Sequence, residues 1–335
     1  TTGLPDPGRA RVGRTRVGTM RVALALGSGG ARGFAHIGVL QVLAERGHEV
    51  SAIAGTSMGA LVGGLHAAGA LEEFTTWVTA LTQRELLLLL DPALGLPGVL
   101  RAQRVLERIS DMLGGARIEE LPIPYVAVAT DLVAQREVWF EHGPVAAAIR
   151  ASIAIPTAIT PVKLHGRVLA DGGLMNPVPM DYLTAWASDF TLAVDLNSPS
   201  PRAGGGQPVT DSADETPAES WLTGLRRTAA HAAAQAAAQL SATPLGQLGR
   251  RDDALAPDVL GFEDLPRDLR TTDVLTLSLN ASKALVTRFR TAANPPDVWV
   301  HVPVDSCGTL EFLKASEMIE IGRGVAEEAL DRAGY

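Results

Sequence analysis

The sequence predicts an α/β fold built on a mainly parallel central sheet, and three observations carry that prediction. Short apolar runs of strand length alternate with helical segments. Glycine-rich turns join each run to the helix that follows it, the signature of βαβ units. The 335 residues are 46% hydrophobic but only 4% aromatic, which suits a large aliphatic core.

The elements follow in order. "RVALALG" (21–27) reads as a strand, "SGGARG" (28–33) as a turn and "FAHIGVLQVLAERG" (34–47) as a helix closed by Gly47. "EVSAIAG" (49–55) and "SMGALVGGLHAAG" (57–69) repeat the unit. Functional loops of such folds lie at the carboxyl ends of parallel strands, so the turns 27–33 and 55–59 are expected side by side. The segment 71–120 reads as mostly helical. Strands are expected at 124–132 and 136–143, then a helix that breaks at Pro156, a short strand ending in Asp171-Gly172-Gly173, and a buried strand at 189–197.

Composition shifts at 198–219 to Ser, Pro, Gly and acidic residues, too few of them apolar to offset the entropy of ordering. A flexible loop is expected there, inside a helical and irregular insertion spanning 198–272. The alanine-rich stretch 221–241 has strong helix propensity. A helix at 271–292, a strand at 297–304 and a last helix at 309–333 complete the pattern, the strand joining the same sheet. The expectation is a single domain over 21–335, preceded by a disordered basic arm over 1–20 that lacks the apolar stretch of a signal peptide.

Charge and cysteine content exclude several classes. Lys and Arg number 29 against 37 Asp and Glu, a net charge of −8, so no global basic field favours nucleic acid. The one cysteine, Cys307, excludes an internal disulfide and cysteine-rich zinc sites; it reads as a small buried apolar residue and fits a reducing, cytoplasmic compartment. The apolar runs at 58–71 and 86–90 are shorter than the ~20 residues of a spanning helix. Any membrane contact is expected to be peripheral. The leucines 86–90 with 93–100 are candidates for it, although an apolar helix stripe more often faces a core.

Three segments carry chemistry. Gly55-Thr56-Ser57-Met58-Gly59 fits a nucleophile elbow, a tight strand-to-helix turn that exposes its serine. A serine there also makes a plain helix N-cap, and the motif alone leaves both readings open. "GSGGARG" (27–33) offers successive backbone N–H groups at a helix start, an anion cradle. It is not G-x-G-x-x-G, because Arg32 holds the sixth position, and it lacks the ending of a P-loop. An oxyanion hole and a tight βα turn are the readings that stand. Arg32 either orders the loop by bonding carbonyls or meets an anionic group. A nucleophilic serine also needs a proton acceptor. None of the seven histidines is singled out by its position, whereas Asp171-Gly172-Gly173 presents a carboxylate at a strand end. Taken alone, that tripeptide is a common turn.

In the order "GSGGARGFAHIGVLQVL", "GTSMGALVGGL", "ASIAIPTAITPV" and "LADGGLMNPVP", these segments resemble the patatin-like phospholipase family, and the tail "LEFLKASEMIEIGRGVAEEAL" resembles the end of bacterial members and of neuropathy-target-esterase-type domains. The resemblance implies a three-layer α/β/α fold and a serine acyl hydrolase acting on phospholipid, lysophospholipid or other acyl esters, with no metal and no cofactor. It implies Ser57 as nucleophile and Asp171 as the group that takes its proton, a dyad without histidine. It implies an oxyanion hole from the N–H groups of Gly29 and Gly30 with Ala31 and Met58 as further donors, Arg32 as the loop-ordering residue, and Gly55, Gly59, Gly172 and Gly173 as the glycines that shape the turns. Two other readings stand beside it: a noncatalytic lipid-binding relative, and a Ser-His-Asp hydrolase with His301 as base.

Overall fold

The computed structural model describes residues 18–89, 103–156, 158–199 and 271–335. Residues 1–17 of the expected arm 1–20, residues 200–270 of the expected insertion 198–272 and the apolar stretch 93–100 lie outside the described residues.

One sheet runs through the molecule, in the order β5-β6-β3-β2-β1-β7-β8 with β4 paired to β3. Its centre is parallel: β1 (Arg21–Leu26) lies between β2 (Glu49–Thr56) and β7 (Phe190–Ser198), β3 (Tyr125–Asp131) follows β2, and β8 (Val298–Pro303) follows β7. β1 and β3 are nearly continuous apolar runs because both of their faces are covered, whereas the edge strand β8 alternates buried valines with more exposed residues such as His301. The two faces differ in residue size. Leu24, Leu26, Ile53, Leu192 and Val194 face α1 (Ala35–Glu45), α2 (Met58–Ala67) and the C-terminal helix, here α8 (Ala315–Ala333), in one large core. On the other face Ala23, Ala25, Ala52, Ala54 and Ala193 leave room for the segment carrying Val178, Met180 and Leu183 to lie directly on the sheet. Outside that segment packs α7 (Thr271–Ala293).

Three strands depart from the parallel pattern: β4 (Arg136–Phe140), β5 (Val162–Leu164) and β6 (Arg167–Asp171) are all antiparallel to their partners. Their registers matter for the site. β2 pairs with β3 as far as Thr56↔Val128, and β6 pairs with β3 from Asp131↔Leu169 to Ala129↔Asp171. β4 covers Ala127 to Asp131 and overlaps both, so it occupies one edge of β3 while β2 and β6 share the other. The carboxyl ends of β2 and β6 therefore meet head to head along β3, at adjacent registers. Asp171 thus comes to the site from the direction opposite to that of a parallel strand.

Beyond α2, four further helices are described before β5: α3 (Leu71–Ala80), α4 (Gln83–Leu89) and α5 (Gln103–Leu113) ahead of β3, and α6 (Val145–Ser152) after β4. α3 and α4 are separated at Leu81, which is extended, and Thr82 restarts the chain with a capping box. The Thr82 N–H donates to the Glu85 carboxylate at 2.9 Å, and the Glu85 N–H donates back to Thr82 Oγ1 at 3.3 Å. No residue of α4 is buried, and Leu88 is 58% exposed, so the described leucines of the run do not form core. α6 ends at Ser152, four residues before the break expected at Pro156.

Candidate active site

Ser57 sits between β2 and α2 with φ 58° and ψ −121°. A side chain in that region costs on the order of 1–3 kcal/mol, and surrounding structure must hold it. Its N–H donates to Ser152 Oγ at 2.8 Å, and that hydroxyl donates in turn to the Val128 carbonyl at 2.6 Å. Ser57 makes no side-chain cap bond to α2, so its hydroxyl is not acting as an N-cap. Gly59 is required by close approach: a Cβ there would stand 1.9 Å from the Leu26 carbonyl oxygen at the end of β1. Gly55 is hemmed in similarly by Gly59 and Ala60.

The Ser57 hydroxyl donates to Asp171 Oδ2 at 2.5 Å, the short end of the range for a hydroxyl on a carboxylate. The other oxygen, Oδ1, accepts from the Gly173 N–H at 2.7 Å. The backbone of Asp171 is fixed on both sides, its N–H by the Ala154 carbonyl and its C=O by Thr130 Oγ1. A Cβ on Gly172 would lie 2.1 Å from the Val128 oxygen, and one on Gly173 would lie 2.6 Å from Ser28 Oγ. Ser57 and Asp171 are both buried. Burial raises the Asp171 pKa above the ordinary carboxylate range, and the charge of Lys283 and the hydrogen bonds from Ser57 and Gly173 offset only part of that rise.

The loop from Gly27 to Gly33 packs beside this pair. The Gly27 N–H and Ser28 N–H are held by the carbonyls of Val194 and Pro177. Gly30 turns the chain with φ +58°, which aims the Ala31 N–H at the Thr309 carbonyl, 2.9 Å away. Ala31 is therefore committed to a protein acceptor, and the expectation that it contributes to an oxyanion hole is corrected. The N–H groups of Gly29, Gly30 and Met58 have no hydrogen-bond acceptor among the described residues. Arg32 is buried; Nε donates to the Leu196 carbonyl at 2.9 Å and Nη1 to the Cys307 carbonyl at 2.7 Å. Its guanidinium thus ties the loop to β7 and to the chain before α8. Cys307 itself is buried, its thiol pushed up to about 12 mainly by desolvation.

The model of the patatin-like phospholipase family matches residues 24–184, a span that contains the glycine loop, the elbow and Asp171. An uncharacterized NTE family protein of Mycobacterium tuberculosis is 41% identical to the chain over 358 aligned positions, 98% of this chain and 96% of its own. The chain belongs to the patatin-like phospholipase family. Longer relatives share only part of their length with this patatin-like chain. Patatin-like phospholipase domain-containing protein 7 of Mus musculus is 32% identical over 184 residues, 53% of this chain and 14% of the mouse protein. Neuropathy target esterase sws of Drosophila melanogaster is 30% identical over 184 residues, 13% of its length.

His301, the alternative base, places its Nδ1 2.7 Å from Ser198 Oγ and stacks on Trp299, while Ser57 is bonded to Asp171. His36 is fully buried in α1, with Nε2 2.8 Å from the Gly27 carbonyl; it must donate there, which fixes the tautomer. Its role is to hold the end of β1.

Several supporting residues escaped the sequence reading. Ser152 and Thr130 brace the backbones of Ser57 and Asp171 from α6 and β3. A polar chain runs outward from the elbow: Thr56 Oγ1 donates to the Asn176 carbonyl, Asn176 Nδ2 to Glu137, and Arg290 of α7 bridges Glu137 and Asp181 at 2.6 and 2.5 Å. Burial works against the Glu137 charge, but its donors outweigh it and hold its pKa below the usual range. The sequence signal available for Ser152 was its place at the end of a helix in "RAS", which says nothing about the strand it reaches.

Proposed function

We propose that the chain is a serine acyl hydrolase of the phospholipase A, lysophospholipase or esterase type, working through Ser57 and Asp171 and a covalent acyl-enzyme. The observation that carries this reading is the 2.5 Å bond from the Ser57 hydroxyl to a buried carboxylate whose pKa is raised. Such a carboxylate is a stronger base than an exposed one, and it stands within proton-transfer distance.

Ser57 Oγ attacks the ester carbonyl carbon as its proton passes to Asp171 Oδ2. The carbonyl oxygen becomes an oxyanion, stabilised by the unpaired N–H groups of Gly29 and Gly30 and by that of Met58 at the start of α2. The intermediate collapses, the bond to the alkoxide breaks, and Asp171 returns the proton to the leaving alcohol. Water then gives a proton to Asp171 while attacking the acyl-serine. Collapse releases the fatty acid and restores the Ser57 hydroxyl. Arg32, Gly55, Gly59, Gly172 and Gly173 keep the loops at the required approach and take no part in proton transfer. The substrate is an acyl-ester lipid, reached by peripheral contact with a membrane or micelle.

Fluorophosphonate labelling with turnover of p-nitrophenyl butyrate tests the reading. Wild type should label at Ser57 and hydrolyse the ester, Ser57→Ala should do neither, and Asp171→Asn should lose turnover. Labelling elsewhere, or full activity in Asp171→Asn, would refute the dyad.

A further inference from the structure

The peptides of the glycine loop are held in different ways. The Gly27–Ser28 peptide is tied at both ends, its carbonyl by His36 Nε2 at 2.8 Å and its N–H by the Pro177 carbonyl at 2.9 Å. The Gly30–Ala31 peptide gives its N–H to the Thr309 carbonyl. The Ser28–Gly29 peptide has a single tether among the described residues: its carbonyl accepts from Asn197 Nδ2 at 2.7 Å, and its N–H has no acceptor there. Asn197, the last residue but one of β7, is itself fixed. Its N–H donates to Asp195 Oδ1 at 2.9 Å, and its Oδ1 accepts from Arg32 Nη2 at 3.3 Å. A guanidinium only donates and a carbonyl only accepts, so these two neighbours decide which end of the Asn197 amide faces the loop.

The sheet sets the direction of the free N–H. β1 lies between β7, which carries Asn197, and β2, which leads into Ser57. The loop leaves the end of β1 and touches both sides: a Cβ on Gly29 would stand 2.5 Å from Leu196 Cβ of β7, and one on Gly59 of the elbow 2.9 Å from the Gly27 oxygen. The Ser28–Gly29 peptide is trans, so its C=O and N–H point opposite ways. With the carbonyl turned to Asn197, the Gly29 N–H is turned toward β2 and Ser57. Arg32 donates to Asn197 and Asn197 to Ser28, so the donors leading to the Gly29 N–H run in one direction and each strengthens the next. We infer, on the hydrolase reading above, that Asn197 is a positioning residue of this site: its side-chain amide holds the Ser28–Gly29 peptide with the Gly29 N–H facing the oxyanion that forms when Ser57 attacks.

Turnover of p-nitrophenyl butyrate and inhibition by dodecyl trifluoromethyl ketone, compared in wild type, Asn197→Ala and Asn197→Asp, test this. Ser57 Oγ adds to the carbonyl carbon of the ketone, its proton passes to Asp171 and the ketone oxygen becomes a standing oxyanion, so Ki reads the oxyanion hole without turnover. Asn197→Asp keeps the side-chain shape and the Arg32 contact but sets an acceptor against the Ser28 carbonyl. In both variants kcat should fall at least about tenfold, toward the roughly 10²–10³ of a deleted oxyanion donor, while KM stays within about twofold. Ki should rise by the factor by which kcat/KM falls. Should Asn197→Ala fail to fold, Asn197→Asp carries the comparison, its fold checked by circular dichroism. Unchanged kcat in Asn197→Asp, or a fall in kcat with Ki untouched, would assign Asn197 to the fold alone and overturn the inference. If wild type neither turns over the ester nor labels at Ser57, the hydrolase reading itself fails; an active wild type with unaffected variants condemns Asn197 alone.

Discussion

The backbone N–H of Ser57 donates to Ser152 Oγ at 2.8 Å, so the unusual backbone of the elbow is held by a side chain 95 residues further along the chain. Ser152 passes the bond on to Val128 of β3, the same strand along which β2 and β6 meet. The serine is thereby fixed against the strand that sets the distance to Asp171.

Removing that hydroxyl tests its role in positioning. Ser152→Ala leaves a buried N–H without an acceptor, a cost of about 1–3 kcal/mol. The Ser57 backbone is then free to relax from φ 58°. Expected is a fall in kcat of at least about tenfold with little change in KM, because the loss falls on the reacting geometry and not on ground-state binding. Slower fluorophosphonate labelling of Ser57 should accompany it. A variant that loses stability but labels at the wild-type rate would show that Ser152 serves the fold alone.

Asp171 gives a prediction with opposite signs for activity and stability. Its pKa is raised in the fold by burial, so its favourable contribution is complete below the unfolded pKa and is lost as pH rises through the folded one. Above the unfolded pKa the buried carboxyl therefore weighs against the native state. Asp171→Asn should abolish turnover and raise Tm at pH 8, with the gain shrinking toward pH 4. In wild type the acid limb of kcat/KM should lie above the ordinary carboxylate range. A variant with lower Tm at pH 8 would contradict the desolvated-carboxylate account.

The sequence makes the sheet centre and the turns that carry Ser57 and Asp171 legible for the same reason: both are written locally. β1, β3 and most of β2 are buried on both faces and read as apolar runs, β7 and β8 set buried apolar residues among more exposed ones, and Ser57 and Asp171 sit in glycine-flanked turns. What was illegible depends on register and direction. Nothing local says that β6 is antiparallel, that its end meets β2, or that α6 ends with Ser152 against the elbow. The three-residue β5 is too short to show a period. The leucine run misled because a stripe of leucines looks alike whether it faces a core or, as Leu88 does, solvent. Ala31 looked like a donor until Gly30 turned its N–H toward Thr309.

Arg290 anchors the inner face of α7 to both Glu137 and Asp181, and Glu137 leads through Asn176 to Thr56 beside Ser57. Arg290→Met leaves two partly buried carboxylates facing each other without a cation. Global stability should fall by on the order of 1 kcal/mol, because these charges remain partly solvated. The local effect should be larger: amide hydrogen exchange across α7 should accelerate well beyond that of β1 and β2. Uniform acceleration throughout the chain would argue against an anchoring role.

His36 sets the acid side of stability. It is fully buried, and desolvation lowers its pKa from 6.5 to about 4 despite the bond to the Gly27 carbonyl. A depressed pKa means that its contribution is present above 6.5 and is lost as pH falls toward and through about 4. The shift from 6.5 to about 4 corresponds to roughly 3 kcal/mol when fully expressed. The buried Nδ1 has no partner among the described residues, so protonation would turn an unsatisfied acceptor into an unsatisfied donor that also carries charge. The imidazole Hε1 resonance of His36 should therefore keep its neutral shift down to near pH 5. The stability of His36→Gln should fall less steeply than that of wild type between pH 6.5 and 4. Titration of His36 near its ordinary value would mean that the end of β1 opens to water, and the rigid placement of Gly29 and Gly30 beside Ser57 would then lose its support.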